Sequence, residues 1–189
     1  RERLQAAFAG DVADRPPVSL WRHFPVDDQD PKLLAEAAVL FQKTYDFDFV
    51  KVTPASSFCI KDWGVKDEWR GALEGTRDYT HRVVQSYDDW TKLPVLDPKK
   101  GFLGDQLRCL EIIRERLTDD VPVIQTIFSP LAQAKNLAGM DFMLESIHRE
   151  PEKFSAGLDT ITQSTAAFVD EVFQMGMDGI FYAIQHARY

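Results

Sequence analysis

Residues 121–130 read VPVIQTIFSP. The run is apolar and β-branched, interrupted only by Gln125 and Thr126, and Ser129-Pro130 stops it. It lacks the strict apolar–polar alternation of a strand with one wet face. Both faces are therefore expected to be buried, as in a parallel sheet covered by helices.

The flanks support this reading. Upstream, GFLGDQLRCLEIIRERLTDD (residues 101–120) carries Leu107, Leu110, Ile113 and Leu117 on one side of a helix. Downstream, helical segments occupy most of residues 131–176, and the last of them opens at Pro151 and closes at Gly176. DGIFYAIQ (178–185) then reads as another strand.

The N-terminal half repeats the alternation. A helix over residues 1–9 ends at Gly10, and VSLWRHF (18–24) after Pro16-Pro17 is expected to be the first strand. DPKLLAEAAVLFQKTY (30–45) is a helix with Asp30 as N-cap and Pro31 at its first position. Its predicted apolar face is Leu33, Leu34, Ala37, Leu40 and Phe41. FDFVKVTP (47–54) is the second strand, stopped at Pro54. Residues 55–98 read as an excursion of short strands or turns, with one helical turn capped by Ser86 or Asp88. Trp63, Trp69 and Phe58 within it form either a lid or a packing cluster.

Four strands with intervening helices in 189 residues make an α/β chain. A (β/α)8 TIM barrel needs about 250 residues, so the expectation is roughly its first four βα units, with residues 1–189 as the N-terminal half of one domain. A stand-alone four-stranded α/β domain is the alternative. No glycine-rich phosphate loop follows strand one, which speaks against a dinucleotide-binding fold.

The formal charge of −8 argues against a dedicated nucleic-acid binder, and no apolar run is long enough for a membrane helix. Cys59 and Cys109 stand far apart without C-x-x-C spacing, so reduced thiols in a cytoplasmic protein are expected, with no metal site within this chain.

Side chains at the C-terminal ends of barrel strands face the reaction site. Those ends hold Arg22-His23, Lys51-Thr53, Gln125 with Ser129, and Gln185-His186. Guanidinium offers a planar fork for carboxylate or phosphate, and imidazole passes protons near neutral pH. The set suits an anionic small molecule. Arg22 and His23 alternate, so at most one of them points inward. Arg22 could instead close an ion pair with Asp27 or Asp48. Lys51 interrupts an apolar strand and needs either a partner or a polar cavity.

The ordered segments resemble the uroporphyrinogen decarboxylase family. RERLQAAFAGDVADRPPVSLWRHF (1–24) is similar to its opening helix, D-R-x-P-V turn and arginine-bearing strand. Residues 86–139 carry its short D-D-x-x-K-L-P turn, helix and P-V-I strand, and MDGIFYAIQHARY (177–189) resembles its fourth strand, which ends near S-H-A-G. The resemblance implies a (β/α)8 barrel of about twice this length. It implies Arg22 and His186 as catalytic residues acting on a carboxylated, tetrapyrrole-like molecule, with Arg22 also binding its carboxylates and His23, Asn136 and Gln185 at further motif positions; the strand-end reading adds Lys51, Thr53, Gln125 and Ser129 as substrate contacts. The sequence departs from the family where an aspartate should gather pyrrole N–H groups, because Pro54 and Ala55 stand there. Gln185 replaces the strand-four serine, and Asn136 falls near the family's helix tyrosine.

A decarboxylase of this kind needs no cofactor. The same superfamily contains corrinoid-linked methyltransferases, which use zinc held by residues beyond Tyr189 and meet a corrinoid protein as partner. A non-catalytic ligand-binding barrel is the reading from another class. A homodimer is an open alternative for the assembly.

Overall fold

The computed structural model describes residues 1–118 and 120–184. Helix α1 (Glu2–Ala9) stops at Gly10, whose φ of 75° lets its amide close on the Ala6 and Ala7 carbonyls. Helix α2 (Pro31–Tyr45) starts as its sequence dictates: Asp30 accepts from the Lys32 and Leu33 amides, and Pro31 occupies the first turn. Strand β1 (Val50–Val52) follows. The excursion then forms an antiparallel hairpin of β2 (Lys66–Trp69) and β3 (Arg77–His81). A 3-10 turn over Tyr87–Lys92 carries a reciprocal capping box between Ser86 and Asp89. Helix α3 (Gly101–Arg116), strand β4 (Val123–Phe128), helices α4 (Pro130–Ala138), α5 (Met140–Arg149) and α6 (Pro151–Gln174), and strand β5 (Gly179–Ala183) complete the described order.

The main sheet is parallel, in the order β1-β4-β5, with Val50 opposite Val123 and Ile124 opposite Gly179. Its helix-facing side is the core. Val52, Val123 and Ile127 pack with Leu110 and Ile113 of α3 and with Phe168 and Val172 of α6. Each such side chain, fully buried, contributes about 1.5–3 kcal/mol.

Two expectations need correction. Residues 18–24 form no strand. The Val18 carbonyl accepts from the Asp48 amide, but the Val18 amide donates to the Asp48 carboxylate at 2.7 Å. The Ser19 hydroxyl takes the Phe49 carbonyl, also at 2.7 Å. Side chains thus occupy the groups a ladder would pair, and the segment runs beside β1 without joining it. Among the described residues the parallel sheet therefore has three strands, not four, and no closed barrel.

The buried face of α2 is also rotated. Leu34, Ala35, Ala38, Val39 and Gln42 go inward, while Leu33 and Leu40 remain 45% and 68% exposed. Gln42 is buried because its amide donates to the Phe47 carbonyl at the turn into β1.

No helix among the described residues is long and apolar enough to cross a membrane. Cys59 and Cys109 are both buried free thiols, and burial pushes Cys59 up to about 12.

Candidate functional site

Strand parity decides which side chains meet. The sheet face turned away from the helices carries Lys51 and Thr53 from β1 and its extension, Thr126 and Phe128 from β4, and Phe181 and Ala183 from β5. The extended 18–24 segment adds Trp21 and His23, the hairpin adds Arg77 and Tyr79, and α4 adds Lys135 and Asn136. Together with Ser56 and Arg82 these line a cleft of about 470 Å³, within the usual range for a small-molecule site.

Lys51 lies at its base. The side chain is buried, with Nζ 4.4 Å from the Trp21 ring centroid and 4.5 Å from that of Phe181. The ammonium donates to Thr53 Oγ1 at 3.3 Å. No described carboxylate pairs with it, and burial pulls its pKa down to about 8. The ring faces act in the opposite sense, since their negative quadrupoles attract the charged form.

His23 stands beside it with Nδ1 buried and without a hydrogen-bond partner. Burial first, and then the Lys51 charge, lower its pKa, so the imidazole is held neutral. Gly75 at the hairpin tip presses on this ring. A Cβ there would lie 2.3 Å from the Cβ of His23, and φ is +76°. The tip needs glycine for both reasons.

The hairpin is clamped in place. Arg77 donates through Nε to Asp67 at 3.1 Å and through Nη1 to the Pro25 carbonyl at 2.9 Å, with Asp28 at 3.5 Å. Both carboxylates are fully buried. Tyr79 meets Ser56 at 3.5 Å, and burial raises its phenol to about 12.

Of the residues singled out in the sequence, the structure brings His23, Lys51, Thr53 and Asn136 into this cleft. It places Arg22 elsewhere. That side chain is exposed, its Nε reaches the His23 carbonyl at 3.4 Å, and its guanidinium lies 5.2 Å from the Phe24 ring centroid on the outer side, toward α2. Neither Asp27 nor Asp48 pairs with it among the described residues. Alternation along the chain gives the inward position to His23 instead.

Gln125 faces the helices, where Oε1 accepts from Gln106 at 2.9 Å and Nε2 donates to the Thr126 carbonyl. Ser129 is the N-cap of α4, accepting from the Ala132 amide. Gln185 and His186 lie outside the described residues. Phe58 and Trp63 are core residues rather than a lid, and Trp69 bonds the Ala72 carbonyl at the hairpin end.

Sequence reasoning missed Thr126, Tyr79, Arg77, Arg82 and Lys135. Thr126 was within reach: once Lys51 faces the cleft, the parallel register that pairs Lys51 with Ile124 fixes the parity of β4. Among the described residues no group of three or more His, Cys, Asp or Glu side chains could hold a metal ion.

The sequence model of the family described as uroporphyrinogen decarboxylase (URO-D) matches residues 1–186. The chain belongs to this family. Among solved structures, a methyltransferase from Methanosarcina mazei superposes with a TM-score of 0.79 at 19% identity. The match covers 94% of this chain and 56% of the methyltransferase, so the chain spans about half the length of that protein. At that identity the likeness is one of fold. No curated protein matches the chain. In this URO-D family member, the cleft lies at the C-terminal ends of parallel strands, where barrel enzymes place their chemistry.

Proposed function

We propose that this chain supplies the N-terminal half of a (β/α)8 barrel of the URO-D type, as one domain, and that its cleft binds a carboxylated small molecule for an enzymatic reaction. The single observation carrying this is Lys51, a buried ammonium that faces the cleft with no carboxylate partner. A buried cation is costly unless something compensates for it. Two aromatic faces and one hydroxyl do so in part, and an arriving carboxylate would do so fully.

Water is thin around the ammonium, so its attraction for that carboxylate is stronger than at the surface. Neutral His23 lines the cleft beside it, where an imidazole can carry a proton. Thr53 and Asn136 add neutral polar contacts. Binding fixes the substrate, and carboxy-lyase chemistry is the first reading of the reaction in a superfamily whose members are decarboxylases or methyltransferases.

A second reading, a corrinoid-linked methyltransferase, draws on one specific feature. Pro54 and Ala55 follow Thr53 and are buried, so the end of β1 presents no carboxylate to organise pyrrole N–H groups. Lacking a metal-ligand cluster, the described residues do not themselves fit a zinc site.

The test is calorimetric titration of the purified protein with propionate and with uroporphyrin, paired with carbon dioxide release from uroporphyrinogen. Saturable binding that falls about tenfold or more in Lys51→Met, the worth of one charge-assisted hydrogen bond, is expected. Equal affinity in both proteins would overturn the reading. Binding without turnover would favour the non-catalytic alternative.

A further inference from the structure

Toward α4, the same cleft holds two more cations that the reading above does not use. Arg82 donates through Nη1 to the Asn136 carbonyl at 2.6 Å and to the Lys135 carbonyl at 3.4 Å. Its guanidinium lies 4.9 Å from the Tyr79 ring centroid. These contacts fix it against the last turn of α4, where a cation complements the helix dipole. Capping alone accounts for Arg82. It does not account for Lys135, whose side chain lines the cleft beside that guanidinium with no carboxylate partner among the described residues.

The protein carries 30 acidic against 22 basic side chains, so counter-charges are plentiful. Glu74 does line the cleft, yet its carboxylate accepts from Thr76 and pairs with neither cation. Burial, and then the Arg82 charge, lower the Lys135 pKa. Two like charges held together in a half-buried cleft repel unless an anion sits between them.

We infer that Arg82 and Lys135 form a second oxyanion subsite, so that the ligand carries two separated anionic groups, one at Lys51 and one here. The inference rests on the Lys51 reading for its first group and on separate residues for its second. Arginine held from behind by backbone carbonyls offers its remaining N–H groups in a fixed fork, and lysine adds a mobile point charge. The shared ligand chemistry is carboxylate or phosphate.

The experiment titrates the protein with α,ω-dicarboxylates from malonate to suberate, with monocarboxylates of matching length, and with a phosphate-ended acid. One chain length is expected to bind about tenfold more tightly than its monocarboxylate, the worth of one charge-assisted hydrogen bond. Lys135→Met reduces that ratio to near one, and Lys135→Arg restores it. The phosphate arm tells whether the subsite prefers a dianion.

Equal affinities of mono- and dicarboxylates at every length would overturn the inference, as would a ratio that survives Lys135→Met. Lys51→Met separates the two claims. If it leaves monocarboxylate binding intact, the first reading fails, whereas a dicarboxylate preference that still depends on Lys135 sustains the second. Circular dichroism of each variant confirms that α4 is intact.

Discussion

Replacing Lys51 by methionine should make the protein more stable and useless at once. In the fold, burial brings this lysine from 10.5 to about 8. Each unit is worth about 1.4 kcal/mol, so carrying the ammonium at neutral pH costs about 3 kcal/mol. The Trp21 and Phe181 faces offset about 1–2 kcal/mol of this. Methionine has similar length, no charge, and a thioether suited to aromatic neighbours. Lys51→Met is therefore expected to gain about 1–2 kcal/mol at pH 6.5, or roughly 2–8 °C in Tm for a chain of this size.

The pH dependence fixes the cause. Between pH 8 and 10.5 the unfolded lysine keeps a proton that the folded one has released, so the unfolded state binds more protons. Wild-type stability then rises with pH across that window, and the advantage of the variant shrinks. Urea denaturation of both proteins from pH 6.5 to 10.5 reads this directly. A variant less stable than wild type at pH 6.5, or a difference that stays flat with pH, would refute the account of Lys51 as an uncompensated buried cation.

Other outcomes follow from the same geometry. Because carboxylate binding needs the ammonium, wild-type affinity for propionate should fall as pH rises through about 8, which titration calorimetry can follow. Asp48 is bonded by Arg3, Arg15 and the Val18 amide, and these hold its carboxyl well below the usual range although burial opposes them. Asp48→Ala should cost about 1–3 kcal/mol in urea melts; in the wild type that contribution is present above the unfolded carboxyl pKa and fades only in strong acid. Gly157 in α6 faces Trp90, where a Cβ would lie 2.8 Å from Cε3 and 3.0 Å from the carbonyl oxygen. Gly157→Ala should destabilise by about 1–2 kcal/mol, overpacking outweighing the gain in helix propensity. The two cysteines, buried and held as thiols, should react with a thiol reagent only on unfolding.

What the sequence made legible was local. Asp30-Pro31 and Ser86 announced their helix starts because a cap bonds residues two or three positions away. The buried strand over Val123–Phe128 was readable from its apolar run. The segment 18–24 was misread because its fate depends on Asp48, 30 positions from Val18, and a composition favouring strand says nothing of which acceptor its amide finds. The hairpin's short strands are mostly exposed and polar, so no periodicity marks their limits. In α2, Gln42 drew the buried face one position around the helix because its amide was wanted by the Phe47 carbonyl. In the site, Lys51 announced itself as a charge in an apolar strand. Arg82 and Lys135 did not, since a cation on a loop or helix reads like any solvated one until the fold turns it inward.

The clamp on the hairpin has a consequence for traffic. Lifting β2 and β3 together off the cleft would pull Arg77 from Asp28 and the Pro25 carbonyl and leave the fully enclosed Asp28 carboxylate without its partner, while Asp67 would travel with Arg77. Such a break costs about 3–5 kcal/mol, enough to make a hinged roof a rare event at working temperature. The hairpin therefore serves the cleft as a fixed wall, to which it contributes Gly75, Arg77 and Tyr79.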